Sequence, residues 1–392
     1  MGDRTDLPGQ RRLRDHAVST ARPLTGYRVV SLAEQYPGPF ATLILGDLGA
    51  DVVQVERPQG GDPSRLFPGH FQALNRGKRS VALDLKTPAG LEACRALIAR
   101  ADVLVEGFRP GVLDRLGLSP TALVEGSPGL VVVSVSGFGQ DGPYRDRPAH
   151  DLSFQAMAGL LDPDAPAVPP VALADVAAGL FAAVAALTGL AGRVHTGRGG
   201  HYDVGMFDAL VSFVVTRLVP TANGLPPDSL GRDPGYGVFA TADGRWISLS
   251  IAFEDHFWRA LCTALGLESL AGLPGPERDA RTDEIRATLS DRIAAEPLAH
   301  WERVLPAAGV AYGAVQDLAG LVEDPHLRSR GLLQTVGADR FLRQPLVVDG
   351  AAHGPRSGVP ALGEHTAEVL REAGVAAETV AAVCAERLTG QY

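Results

Sequence analysis

Three kinds of residue in this chain stand where their types and spacing could do chemistry. The first is a series of cations between apolar runs: Arg57, then Arg76, Lys78 and Arg79, then Arg109. Each alone is an ordinary surface charge. Together, beside runs that read as strands, they point to an anionic, phosphate-bearing ligand such as a nucleotide or coenzyme A. The second kind is acid–base. His150 closes a loop just before a helix-like stretch, and is either an Asp-paired structural imidazole or a general base that titrates near working pH. Asp175 precedes the apolar run Val176–Gly192. It reads as an N-cap, or as a carboxylate beside free backbone N–H groups at a helix start, suited to act as nucleophile or acid/base next to an oxyanion site. Glu254 opens a further helix with Asp255 and His256, again as a helix-start acid or something more. The third kind is glycine. Gly137, Gly139 and Gly142 follow one strand-like run, and Tyr36-Pro37-Gly38-Pro39 follows another. Such loops let the backbone bend and approach a ligand at a helix N-terminus.

Several chemistries find no footing. The first βα loop lacks G-x-G-x-x-G, so Glu56 at the end of the second strand is a poor sign of dinucleotide binding. No Walker loop, G-x-S-x-G elbow or metal-ligand spacing occurs. The three cysteines, Cys94, Cys262 and Cys384, are far apart, which argues against a disulfide framework or structural zinc and fits buried thiols in a reducing cytosol.

The elements that must position these residues alternate over the first 140 positions. Val29–Leu32, Asp51–Val55, Ser80–Asp84, Val103–Glu106 and Leu130–Ser136 read as strands. Phe40–Leu48, Ala89–Ala101 and Pro120–Glu125 read as helices. This pattern predicts parallel βαβ units, with ligands beyond the carboxyl ends of the strands. Past Asp151 the pattern turns helical, with a buried helix over Val176–Leu190. Residues 1–24 read as a disordered extension and 25–220 as a large domain. The Pro/Gly-rich 221–236 reads as a linker, 237–335 as a small domain that opens on a hairpin, and 336–392 as a return to the large domain that ends in a helix at Glu364–Ala373.

Composition narrows the class. The chain has 392 residues, 45% apolar and 21% charged, which is ordinary for a globular protein. Its formal charge of −9 disfavours a phosphate-backbone partner, so nucleic acid is not expected. No run is long enough to expect a membrane span, and residues 1–26 lack the apolar core of a secretory signal, so a cytoplasmic location is expected.

Seven stretches, in order, resemble one superfamily. They are PGPFATLILGDLGADVVQVERP, NRGKRSVALDLK, ADVLVEGFRPGVLDRLG, VSGFGQDGPYRDRPAHD, the LAD at 173–175, TGRGGHYDVGMFDAL and YGVFATADGRWISL. The chain is similar from about residue 25 onward to the family III CoA-transferases (the CaiB/BaiF group), which include the α-methylacyl-CoA racemases. The resemblance implies an α/β fold with a Rossmann-like large domain and a smaller α+β domain in an interlocked homodimer. It implies an acyl-CoA substrate and no cofactor beyond the CoA that the substrate carries. By position, Arg57 and Arg109, with Arg76 and Lys78, take the CoA-binding role. Asp175 takes the catalytic role in either branch: it attacks the thioester in the transferases and exchanges the α-proton in the racemases. His150 and Glu254 match the racemase His and Glu, and the Pro-Gly-Pro loop looks like the racemase version. Val176-Ala177-Ala178-Gly179 departs from it. The resemblance therefore leads to epimerisation of 2-methyl-branched acyl-CoA, with transfer of CoA to a carboxylic acid through Asp175 as the alternative.

Overall fold

The computed structural model describes residues 22–225 and 233–389. The expected N-terminal extension, apart from residues 22–24, and residues 226–232 of the expected linker lie outside them. The described chain forms two compact units, one of residues up to Val214 together with Gly331 onward, the other Val215–Arg330.

The first unit is built on six parallel strands. They are β1 (Arg28–Ser31), β2 (Asp51–Glu56), β3 (Arg79–Ala82), β4 (Val103–Glu106), β5 (Val131–Ser136) and β6 (Gly200–Gly205), in the order 3-2-1-4-5-6. β1 is centred between β2 and β4, with Val30 opposite Val53 and Leu104. That is the doubly wound order, whose reversal beside β1 opens a crevice at the strands' carboxyl ends. The Val-rich strands are buried on both faces, as parallel strands must be when helices cover both sides. One face packs against α1 (Pro37–Asp47) and α7 (Leu173–Thr196), the other against α3 (Pro88–Ile98) and the C-terminal helices.

α7 is longer than the apolar run alone predicts. Its 24 residues are apolar enough, by length and composition, to cross a membrane. One alanine-rich face (Ala177, Ala178, Ala182, Ala186) is buried in the core beside β5. Small side chains let α7 lie close to α1: a Cβ on Gly179 would stand 2.9 Å from the Pro37 carbonyl oxygen and 2.8 Å from the Phe40 ring. The shorter elements escape sequence periodicity. α2 (Pro68–Asn75) opens on Pro-Gly, and the hairpin of Leu333–Val336 with Asp339–Leu342 has four residues a strand. The stretch expected to end at Ala373 continues into a further helix, Ala377–Thr389, whose Val380 and Val383 pack on the sheet's second face.

The second unit has its own core. A three-stranded antiparallel sheet (Tyr236–Ala240, Trp246–Ser250, Tyr312–Ala314) is joined by helices that bury Trp258 and Trp301 completely. Within it, buried Arg278 bonds Asp233 and Asp255 and lies over the Trp258 ring.

Candidate active site

The loop after β1 is held in an uncommon conformation. Gln35 has φ +67°, the left-handed region, which costs a non-glycine residue on the order of 1 kcal/mol. The Asp62 carboxylate offsets this by accepting the Gln35 N–H at 3.0 Å, along with the Ser64 N–H and hydroxyl. Glu56 supports Asp62 in turn. It accepts the Asp62 N–H, pairs with Arg65 and takes the Ser80 hydroxyl, so this strand-end acid is buried in the scaffold. The loop is thereby aimed so that Tyr36 stands before the α1 N-terminus, where only glycine fits at 38: a Cβ there would lie 2.1 Å from that of Ala33.

Two adjoining grooves lie at the carboxyl ends of the strands, as the order of the sheet requires. One, of about 370 Å³, is lined by Arg57, Asp84 and Lys86 over Leu32, Val55, Leu83 and Leu116. The next, of about 310 Å³, is lined by Arg109, Arg115, Arg145 and Arg147, with Pro37, Gly38, Ser136, Gly137 and Ala149. Glu34 and Phe108 belong to both, so the grooves adjoin. Burial pushes the Glu34 carboxyl up, with Asp62 adding to it. The Ser136 hydroxyl is buried at the end of β5 and has no partner among the described residues, so it is free for a ligand.

The cations expected at this site divide. Arg57 and Arg109 are exposed and line the grooves. Arg76 and Lys78 do not. Arg76 is buried against Asp47, both guanidinium nitrogens on its carboxylate at 2.5 and 2.7 Å, with a further bond to the Leu342 carbonyl. Lys78 is buried with its ammonium on the Pro39 carbonyl and the Asn75 side chain, and burial lowers its pKa to about 7. Both hold the α1 end of the fold together. Arg115 and Arg145, not singled out in the sequence, face the groove instead. Arg115 closes the short helix Val112–Arg115 that follows the loop carrying Arg109, a spacing that could have revealed it. The glycines at 137 and 139 also serve the scaffold, Gly137 while lining the groove. Gly137 packs on the Phe154 ring, and Gly139, at φ +85°, turns the chain beside Asp203.

His150 and Asp175 are linked through their neighbours in the chain. α6 (Asp151–Met157) starts directly after His150. The Asp151 carboxylate accepts the Ala174 N–H at 2.7 Å and the Gln155 amide at 2.7 Å, and Gln155 also reaches the Val171 carbonyl. His150 and Asp175 are thus the chain neighbours of the two residues joined by the Asp151–Ala174 bond. The expected N-cap role of Asp175 is corrected here. The helix begins at Leu173 after Ala172, and Asp175 is its third residue. Because Asp151 serves the first turn from outside, the Asp175 carboxylate takes no hydrogen bond from any described residue. Burial, then the charge of Asp151, raises its pKa to about 6. The Tyr36 phenol is pushed up by its own burial and then by the charges of Asp175 and Asp151. His150 itself is exposed. Glu254 belongs to the second unit, at the N-cap of Asp255–Leu265, where its carboxylate takes the Ala252 N–H at 3.2 Å.

The geometry offers cation-lined grooves at the strand ends, an unbonded carboxylate near the start of α7 and an exposed histidine before α6, and the comparisons agree in kind. The profile of CoA-transferase family III matches residues 24–366. An acetyl-CoA:oxalate CoA-transferase of Acetobacter aceti is 34% identical over 374 residues, covering 89% of this chain and 95% of its own length. An alpha-methylacyl-CoA racemase of Mus musculus is 33% identical over 379 residues, covering 93% and 97%. A CAIB/BAIF family protein from Brucella suis, solved by crystallography, superposes with a TM-score of 0.80 at 32% identity over 90% of this chain and all of its own. Transferase names outnumber the racemase among these relatives. On the match of profile, sequence and fold along nearly its whole length, this chain is an enzyme of CoA-transferase family III.

Proposed function

We propose that the chain epimerises 2-methyl-branched acyl-CoA thioesters by exchanging the α-proton between His150 and Asp175. The observation that carries this reading is the Asp175 carboxyl, without a hydrogen bond among the described residues and raised to about 6, close enough to neutrality to give as well as take a proton. The thioester carbonyl acidifies its α-hydrogen. One of the two groups removes that proton, and the C–H electron pair moves onto the thioester oxygen. The other group, protonated, returns a proton to the opposite face, and the carbonyl re-forms. Of the first-turn N–H groups of α7, those of Leu173, Ala174 and Val176 are taken by Val171, Asp151 and Ala172, which leaves the Asp175 N–H to stabilise the enolate. Arg57, Lys86, Arg109, Arg115 and Arg145 would hold the phosphates and Ser136 the pantetheine arm. Glu254 enters by resemblance alone. The reaction requires no cofactor beyond the substrate's CoA.

The second reading, transfer of CoA to a free carboxylic acid through Asp175, is supported by the names of the relatives. Incubation with 2-methylacyl-CoA in D₂O, without an acceptor acid, separates the two. One deuterium at the α-carbon is expected, and its loss in His150→Ala by about 10²-fold or more. CoA appearing on an added carboxylic acid, with no deuterium exchange, would make the chain a transferase.

The homodimer is also a proposal. Its support is the apolar surface left exposed in each unit: Phe181, Val184 and Val194 on α7, and Val215, Leu218 and Val219 on the helix Val215–Ala222. Light scattering after size exclusion should give twice the chain mass, and a single-chain mass at micromolar concentration would refute it.

A further inference from the structure

We infer that a cavity behind Tyr36 is the pocket for the acyl chain, and that it selects an uncharged apolar tail of about six to ten carbons. This rests on the reading of Asp175 as the acyl-CoA site. The cavity measures about 430 Å³, within the range of ligand pockets. That is roughly fourteen waters' worth of volume, room enough for a tail of six to ten carbons.

Its position follows from the wall it shares with the site. Tyr36 and Phe40 line it. The phenol of Tyr36 feels the charges of Asp175 and Asp151. The Phe40 ring abuts Gly179, one turn along α7 from Asp175 and on the same helix face. Pro37, next to Tyr36, lines the cationic groove. A CoA thioester running along the groove to Asp175 would therefore have its acyl group at the Tyr36–Phe40 wall, with the cavity beyond.

Its chemistry follows from the lining. Leu43, Leu74 and Phe341 are the buried side chains of its floor, and Ala73 adds a methyl. Two arginines border it, and neither is among the buried apolar side chains of the floor. Buried Arg343 spends donors on the Gly331 and Gln344 carbonyls, and Arg340 is exposed on the rim. The small residues Gly69 and Ala73 on α2 keep it open. A Cβ on Gly69 would meet nothing within 4 Å, and its φ is not in the left-handed region, so this lining position accepts a larger side chain without strain.

Titration calorimetry with CoA, butanoyl-CoA, octanoyl-CoA and succinyl-CoA tests this on the intact enzyme. Octanoyl-CoA should bind at least ~10-fold more tightly than butanoyl-CoA, because its added methylenes leave water for an apolar pocket. Gly69→Leu, and independently Ala73→Leu, should remove that gain while leaving butanoyl-CoA within about threefold. The filled-pocket variants should also lose deuterium exchange into 2-methyloctanoyl-CoA but keep it with 2-methylbutanoyl-CoA. A chain-length gain that survives both substitutions would overturn the pocket. A succinyl-CoA preference that the substitutions abolish would overturn its apolar character. If no CoA thioester binds the wild-type protein, the acyl-CoA reading itself fails, which is a different result from either.

Discussion

Asp175→Ala is expected to reduce turnover by about 10²–10⁴-fold, the usual worth of a positioned acid–base group, whichever acyl-CoA reaction is assayed. CoA binding should persist, since the grooves that carry the cations do not include Asp175. The same position makes a second, less obvious forecast. The folded protein raises the Asp175 pKa from the ordinary 3.8 to about 6, through burial and through Asp151. A carboxyl that holds its proton more tightly when folded favours folding at pH below about 4, and that benefit is lost as pH rises through about 6. At pH 8 the ionised carboxylate is therefore a cost. Asp175→Asn should stabilise the protein there by up to about 3 kcal/mol, reduced toward about 1 by solvent at the partly exposed group. The gain should vanish near pH 4. Denaturant melts of both proteins at pH 4, 6 and 8 read this directly. A stability difference that does not change with pH would mean that Asp175 is not held in the environment described. Activity lost while stability is gained is the mark of a group placed for chemistry.

Arg76→Met should destabilise the protein by about 3–5 kcal/mol, because it strands the buried Asp47 carboxylate without its partner. The loss should extend to the hairpin at Asp339–Leu342, whose Leu342 carbonyl Arg76 also holds. Replacing both partners, Asp47→Leu with Arg76→Met, should recover much of the stability, since no uncompensated charge then remains. At a temperature where the variant is folded, KM for the CoA thioester should be unchanged within about threefold. A KM raised tenfold with stability unaltered would restore Arg76 to the phosphate site expected from the sequence. The contrast with Arg115 is the reason for the choice. Both are cations near strand ends, but one has spent its donors inside the fold and the other lines the groove.

The strands were legible because runs such as VVVSVS and VLVE are branched and apolar without alternation, the pattern of a parallel sheet covered on both faces. α3 was legible through its turn-spaced apolar residues. α2 was not: eight residues opening on Pro-Gly offer no helical period, yet α2 forms a wall of the proposed acyl cavity. The helix of Asp175 was legible but its start was not. An Asp before an apolar run looks like its own cap, and the cap came from Asp151, 24 residues earlier in the chain.

By itself the sequence determined the fold class, the family and the kinds of group available, because hydrophobic period and local motif are properties of neighbouring residues. It brought His150, Asp175 and the strand-end cations to attention one at a time. The tertiary structure decided which of them have free valence. Arg76 and Lys78 were consumed by Asp47, Asn75 and a carbonyl, while Asp175 was released by a bond that Asp151 makes in its place. Whether a charged group faces substrate or scaffold depends on partners distant in the chain. Burial and charge set that outcome only once the sheet has brought them together.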